Sequence, residues 1–121
     1  MIGIGVDVVE IERFRRSLER TPTMRARLFT PIELEYVAPK VDPVPSLAAR
    51  FAAREAVMKS LGLGLGAFGF HDVWVERADS GAPSLVFAGK ALALARQAGV
   101  QHWHLSLTHS DLVAVAYVVA E

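Results

Sequence analysis

The sequence predicts an α+β fold, a single small domain in which a mainly antiparallel sheet is packed by helices. Three observations carry that prediction. The 121 residues are 52% hydrophobic and contain no cysteine, and a chain of this length buries roughly two-thirds of its unfolded surface without disulfides or structural metal. The hydrophobic patterns run strand, helices, two strands, helix, two strands, which is not the strict alternation of a parallel βαβ sheet. The last two strand patterns are separated by a short polar turn and read as a closing antiparallel hairpin. Residues 1–121 are therefore taken as one domain.

Each element follows in order. Residues 2–9, Ile-Gly-Ile-Gly-Val-Asp-Val-Val, are β-branched and short, a strand interrupted by Asp7. From Glu10 to Arg20 the apolar residues Ile11, Phe14 and Leu18 mark one helix stripe, and Thr21-Pro22 ends it. A short helix spans Met24 to Leu28. Thr30-Pro31-Ile32-Glu33 then supplies a capping hydroxyl, a proline at the first helical position and a glutamate at the third, so a helix begins there and stops before Pro39. Pro39, Pro43 and Pro45 make a stiff surface loop, after which Ser46 is expected to cap a helix over Leu47–Leu61 closed by Gly62. On that helix Leu47, Phe51 and Met58 form an apolar stripe, while Ala49, Ala52, Ala53, Ala56 and Ser60 form a smooth small-residue side. Together with the closing hairpin, that small side is expected to leave apolar surface for a partner subunit. Phe70–Arg77 and Ser84–Phe87 read as strands about the turn Asp79-Ser80-Gly81-Ala82-Pro83, Lys90–Ala98 as a helix, and Val100–Thr108 and Leu112–Val119 as the hairpin.

Composition removes several functions. Thirteen Lys and Arg balance thirteen Asp and Glu, which argues against general nucleic-acid binding, since that needs a basic excess on one face. The apolar opening carries Asp7 and Glu10 and no basic leader, so it predicts neither a secretory leader nor a membrane span. With no cysteine and no asparagine there are no thiolate sites or glycosylation sequons, and a reducing, cytoplasmic setting is the expectation.

A few residues stand out chemically. An ionised Asp7 in a buried strand is costly unless it is paired, hydrogen-bonded or bound to a cation, and a structural carboxylate explains it as readily as a functional one. Glu55 and Lys59, four apart on the long helix, would on an ordinary surface make a weak ion pair. Yet Arg50, Arg54 and Lys59 line a helix that runs into the glycine turn starting at Gly62, a suitable wall for a phosphate-rich ligand. Asp7 and Glu55, from separate elements, would suit a hard cation such as Mg²⁺, which takes one or two carboxylates plus substrate phosphates. Gly64, Gly66 and Gly69 spell G-x-G-x-x-G, but a helix precedes and a strand follows, the reverse of the dinucleotide order. His102 and His104 share a strand face, but His109 has the opposite parity and no cysteine supports zinc, so His102 reads as a solvated or hydrogen-bonded histidine. Six arginines between Arg13 and Arg27, against Glu10, Glu12 and Glu19, form either a solvated face or one that meets an acidic partner.

These segments together resemble the holo-[acyl-carrier-protein] synthase family of 4′-phosphopantetheinyl transferases. The opening Gly3-Ile4-Gly5-Val6-Asp7-Val8-Val9-Glu10-Ile11 is similar to that family's G-I-G-x-D-[IV]-x-E-[IL], with Arg13 following. Phe29–Glu33 resembles its F-T-x-x-E, Arg50–Lys59 its R-F-A-A-[KR]-E-A-x-x-K, and His104–His109 its H-x-S-[IL]-[ST]-H. The resemblance implies the 4′-phosphopantetheinyl transferase fold and a homotrimer with each site at a subunit interface. It implies that Asp7 and Glu55 hold Mg²⁺ on the pyrophosphate of coenzyme A, and that Arg50, Lys59, Gly62, Gly64, Pro83 and His109 lie along that co-substrate. Arg13 and Arg20 would face an acidic helix of an apo acyl carrier protein. The implied reaction is attack of a carrier serine on the β-phosphate, releasing adenosine 3′,5′-bisphosphate, with Glu55 and Lys59 catalytic. Where the family has G-K-P this chain has Gly81-Ala82-Pro83, so that lysine contact is missing or supplied elsewhere. Two other readings compete: a hot-dog-type thioesterase or dehydratase with an acid or base on a long helix and no metal, and an oligomeric module whose arginine face binds an acidic protein without chemistry.

Overall fold

The computed structural model describes all 121 residues. Strand β1 (Gly3–Glu10) passes directly into α1 (Ile11–Arg20), and α2 (Met24–Leu28), α3 (Pro31–Val37) and α4 (Val44–Ser60) follow. A 3-10 turn (Phe70–Asp72) leads into β2 (Val73–Arg77), which pairs with β3 (Pro83–Phe87), and α5 (Gly89–Gln97) connects these to β4 (Trp103–His109) and β5 (Val113–Ala120). All pairing is antiparallel, in a three-stranded sheet of order β1-β5-β4 and a two-stranded sheet β2-β3. The α+β expectation holds, with the sheet resolved into two pieces that meet where Phe87 stacks on Trp103 at 4.5 Å between ring centroids.

Helix α4 is the axis of the molecule, because both hydrophobic clusters are built on it. Its first half packs Leu47, Ala48 and Ala49 with Ile11, Phe14 and Leu18 of α1 and with Phe29 and Val37; its second half packs Ala52, Ala53, Ala56, Val57 and Met58 with Val73, Val75, Ala116 and Val118. The small-residue side is thus filled within the chain by β1 and β5, and the expectation that it waits for a partner subunit is corrected. Two glycines make the approach possible. A Cβ at Gly3 would lie 1.8 Å from the Ser60 carbonyl oxygen, and one at Gly5 would lie 1.8 Å from that of Ala56. The strand therefore lies on the bare helix backbone, and larger residues on either side would hold it off.

The start of α4 differs from the expectation. It begins at Val44, and Ser46 sits inside its first turn instead of capping it. Asp42 secures the start, its Oδ1 accepting from the Val44 N–H at 3.2 Å while both its oxygens accept from Arg15 at 2.9 and 2.8 Å. Pro45 belongs to the helix, at a position whose missing N–H has no intrahelical partner to lose. The far end is as expected. Gly62 has φ +70°, the Leu63 N–H donates to Met58 O at 2.8 Å and the Gly62 N–H to Lys59 O at 3.0 Å, the paired bonds of a Schellman closure.

Smaller differences follow from local hydrogen bonding. Phe70–Asp72, expected as strand, coils into a 3-10 turn whose Asp72 carboxylate accepts from the Gly69 N–H at 3.1 Å. Residues 100 and 101 lie outside the β4 ladder, Val100 N–H bonding Ala95 O behind α5 and Gln101 N–H bonding Glu121 O, while His102 exchanges both its backbone bonds with Glu121 in the ladder's register. His109 ends β4 in place of opening the turn, which is held by Ser110 Oγ accepting from Leu112 and Val113 N–H.

Candidate active site

Strand β1 runs antiparallel to α4, with Gly3 against Ser60 and Gly5 against Ala56. Two strand residues span about 6.6 Å and four helical residues about 6 Å, so the next inward-facing position, Asp7, falls beside the column carrying Glu55 and Lys59. Lys59 Nζ donates to Asp7 Oδ1 at 2.9 Å and to Val6 O at 3.2 Å. The Glu55–Lys59 surface pair that helical spacing suggests is not formed, because the lysine crosses to the strand. Glu55 has no ion-pair partner. Its carboxyl is held above the ordinary range by burial first and by the Asp7 charge next, with Lys59 opposing. The Lys59 ammonium is held above its usual value by its hydrogen bond to Asp7.

Asp7 and Glu55 line one open hollow of about 420 Å³, together with Glu10, Arg13, Ser17 and Phe51. The two carboxylates repel, and a divalent cation would offset both. No group of three or more His, Cys, Asp or Glu side chains is placed to hold a metal. The donors therefore fit a hard cation that takes two protein carboxylates and completes its shell from phosphate and water. They do not fit a cation needing a closed protein cage.

Arg50 and His109 stand elsewhere. Arg50 and Lys59 are nine residues apart, about 180° around α4, and Arg50 lines a separate hollow of about 130 Å³ with Tyr36, Lys40, Arg77, Thr108 and His109. Arg54, fully buried, forms an ion pair with the equally buried Glu33. Its Nη1 donates to Glu33 Oε2 at 2.9 Å and its Nε to Phe70 O at 2.8 Å, while Glu33 also accepts from the Thr30 and Val75 N–H groups. That pair is structural, locking α3, α4 and β2 together. Gly62 and Gly64 lie on the exposed turn after α4, where an added Cβ would meet nothing within 4 Å. Pro83, at the start of β3, lines neither hollow, but it pairs across the strands with Arg77. Arg13 borders the Asp7 hollow and Arg20 stands exposed at the end of α1.

Six of the ten sequence-derived site residues thus fall into two groups on one chain, Asp7, Glu55, Lys59 and Arg13 in one, Arg50 and His109 in the other, while Arg20, Gly62, Gly64 and Pro83 line neither hollow. Sequence patterning does not single out Tyr36, Lys40 or Arg77. A Tyr36–Lys40 spacing of four was visible, but Arg77 joins them only through the packing of β2 against α3.

The sequence matches the family model described as the 4′-phosphopantetheinyl transferase superfamily over residues 3–118. A holo-[acyl-carrier-protein] synthase of Micrococcus luteus is 49% identical over 123 residues, covering 100% of this chain and 92% of that protein. The crystal structure of holo-[acyl-carrier-protein] synthase from Neisseria meningitidis superposes with a TM-score of 0.91 at 31% identity, covering 100% of this chain and 98% of that one. A Bacillus anthracis holo-(acyl-carrier-protein) synthase, solved in complex with CoA (3′,5′-ADP), superposes with a TM-score of 0.82 at 31% identity over 98% of this chain and 95% of that one. The thioesterase and non-enzymatic readings are set aside. With its fold shared along its whole length and the family match spanning nearly all of it, the chain belongs to the 4′-phosphopantetheinyl transferase superfamily.

Proposed function

We infer that this chain, acting as one 121-residue domain, transfers the 4′-phosphopantetheine group of coenzyme A to a serine of an apo acyl carrier protein. The observation that carries this reading is full-length similarity to holo-[acyl-carrier-protein] synthases, one of them solved with coenzyme A, in a chain that keeps Asp7 and Glu55 on one hollow. The serine oxygen forms a bond to the β-phosphorus of coenzyme A, and the bond from that phosphorus to the bridging oxygen breaks. Adenosine 3′,5′-bisphosphate leaves with that oxygen. The serine proton passes to Glu55, which shares the hollow with Asp7 and carries no ion pair. Lys59 brings positive charge to the pyrophosphate side, since positioning and charge neutralisation dominate phosphoryl transfer. Asp7 and Glu55 would hold Mg²⁺, which when bound supplies charge neutralisation on the pyrophosphate.

The rest of the reading concerns partners. Of the six arginines from Arg13 to Arg27 only Arg15 is ion-paired, leaving Arg13 and Arg20 available to an acidic carrier helix. Gly62 and Gly64 offer open backbone, and Arg50, Pro83 and His109 belong to the coenzyme surface by resemblance. Because Arg50 and Lys59 lie on opposite sides of α4, a coenzyme that reaches both without wrapping around the helix requires a neighbouring copy to supply one of them. A homotrimer in the cytoplasm, as the resemblance implies, meets that requirement. Mass spectrometry of an apo carrier protein incubated with this chain, coenzyme A and Mg²⁺ tests the function. The expected outcome is a mass gain of one phosphopantetheine on the carrier serine; no gain with any apo carrier protein would overturn it.

A further inference from the structure

The Tyr36 ring gathers three cations drawn from three other segments. Arg50 Cζ of α4 lies 4.6 Å from its centroid, Lys40 Nζ beyond the end of α3 lies 5.3 Å away, and Arg77 Cζ of β2 lies 5.6 Å away. All three fall within the roughly 6 Å over which a ring face attracts a cation. Arg50 pays most for its place. It is 1% exposed, its Nη1 donates only to Ser46 O of its own helix at 3.1 Å, and its buried Nε has no hydrogen-bond partner. Burial pulls its pKa below the ordinary arginine value and the Arg77 charge adds to that; Glu33, whose oxygens are already occupied by Arg54, and Tyr36 oppose.

No carboxylate lines the hollow that Tyr36, Lys40, Arg50 and Arg77 share with His109. A second hollow is lined by Tyr36, Arg50, Arg77 and Glu76, but the Glu76 Oε2 accepts from Trp74 Nε1 at 2.8 Å. Three cations around one ring, with a desolvated guanidinium among them, leave a positive potential that an anion would relieve. Tyr36 itself is fixed from behind. It projects from α3, which is tied down by the Thr30–Glu33 capping box and the Glu33–Arg54 pair.

We propose that Tyr36 is a positioning residue of the coenzyme site, its ring holding Lys40, Arg50 and Arg77 together so that they meet one phosphate group of coenzyme A as a unit. The proposal rests on the coenzyme reading above and adds residues to it. Tyr36 acts through the cations it orders, so its loss costs coenzyme affinity and leaves the attacking serine's chemistry alone.

The test is calorimetric titration of coenzyme A into the full-length protein with Mg²⁺, together with initial rates, for wild type, Tyr36→Leu, Tyr36→Phe and Arg77→Met. Tyr36→Leu should raise both Kd and KM for coenzyme A about tenfold, with kcat and the KM for carrier protein moving less than twofold. Tyr36→Phe, which keeps the ring face, should recover most of that affinity. Arg77→Met, a change at an exposed side chain that also gives up the bond to the Gly81 carbonyl of the β2–β3 turn, should weaken coenzyme binding about threefold or more. A merely structural role predicts a lower Tm for Tyr36→Leu with an unchanged Kd, and that result overturns the proposal. So does Tyr36→Phe binding as weakly as Tyr36→Leu, which would assign the effect to the hydroxyl. A wild-type protein that binds no coenzyme A overturns the functional reading along with it, whereas wild type that binds beside an indistinguishable Tyr36→Leu overturns this proposal alone.

Discussion

At the scale of single residues, the choice made by Lys59 decides how the site is read. Helical spacing offers it Glu55 four residues earlier, a pair worth a few tenths of a kcal/mol on an exposed face. It bonds Asp7 and the Val6 carbonyl instead, so Glu55 remains a half-buried anion beside a second anion, with no cation of its own. Such a carboxylate does not stabilise the fold. We therefore expect Glu55→Gln to leave the Tm in Mg²⁺-free buffer unchanged or slightly raised, while transfer falls at least about a hundredfold through loss of the proton acceptor. Asp7→Asn should cut transfer similarly and lower the Tm only slightly, because its partner Lys59 is exposed and an exposed pair contributes under ~1 kcal/mol. Transfer rates per folded molecule and melting curves for both variants check this; near-normal turnover in both would remove these carboxylates from the mechanism. The motif around Asp7 and the helix around Glu55 are legible in the sequence. That Lys59 would cross to the strand is not, since it depends on where β1 settles on α4.

At the scale of elements, local signals transmit faithfully and long-range ones do not. The α3 start is readable because Thr30 and Glu33 cap each other three residues apart, and both reciprocal bonds form. The α4 start is misread because a long-range contact intervenes. Ser46 is a good capping residue, but Asp42, already clamped by Arg15 from a distant helix, reaches the Val44 N–H first. The two opening glycines were legible as a motif and not as a packing device, because their purpose appears only when the strand is laid on a helix of alanines. A Cβ at Gly5 would overlap the Ala56 carbonyl, and neither backbone can yield without lifting β1 from α4. Gly5→Ala should therefore cost at least ~2 kcal/mol, a fall of about 10 °C in Tm. Gly64→Ala, where a Cβ meets nothing, should shift the Tm by no more than a degree or two. Equal melting temperatures for the two variants would mean that β1 does not lie on the bare helix.

At the scale of the whole molecule, the unfinished surface is on the sheet, not on the helix. One face of β1 is spent on α4; the other presents Ile4, Val6 and Val8, which are 46%, 47% and 57% exposed, opposite Val119, Tyr117 and Val115 of β5. Since β1 is an edge strand, this apolar row sits where another copy could reach it. The proposed coenzyme residues, divided between two sides of α4, favour a second copy for an independent reason. If both features have one cause, a single charge on the row should undo both. Val6→Glu changes a half-exposed side chain whose backbone contacts, including the Val6 carbonyl bonded by Lys59, do not depend on its identity, so the isolated chain should fold with a Tm within a few degrees of wild type. In sedimentation equilibrium at micromolar concentration wild type should run as a trimer and the variant as a monomer, and transfer should fall at least tenfold because each hollow would have lost the cations of its neighbour. A wild-type monomer with full activity, or a Val6→Glu trimer, would break the link between the apolar row and the divided site.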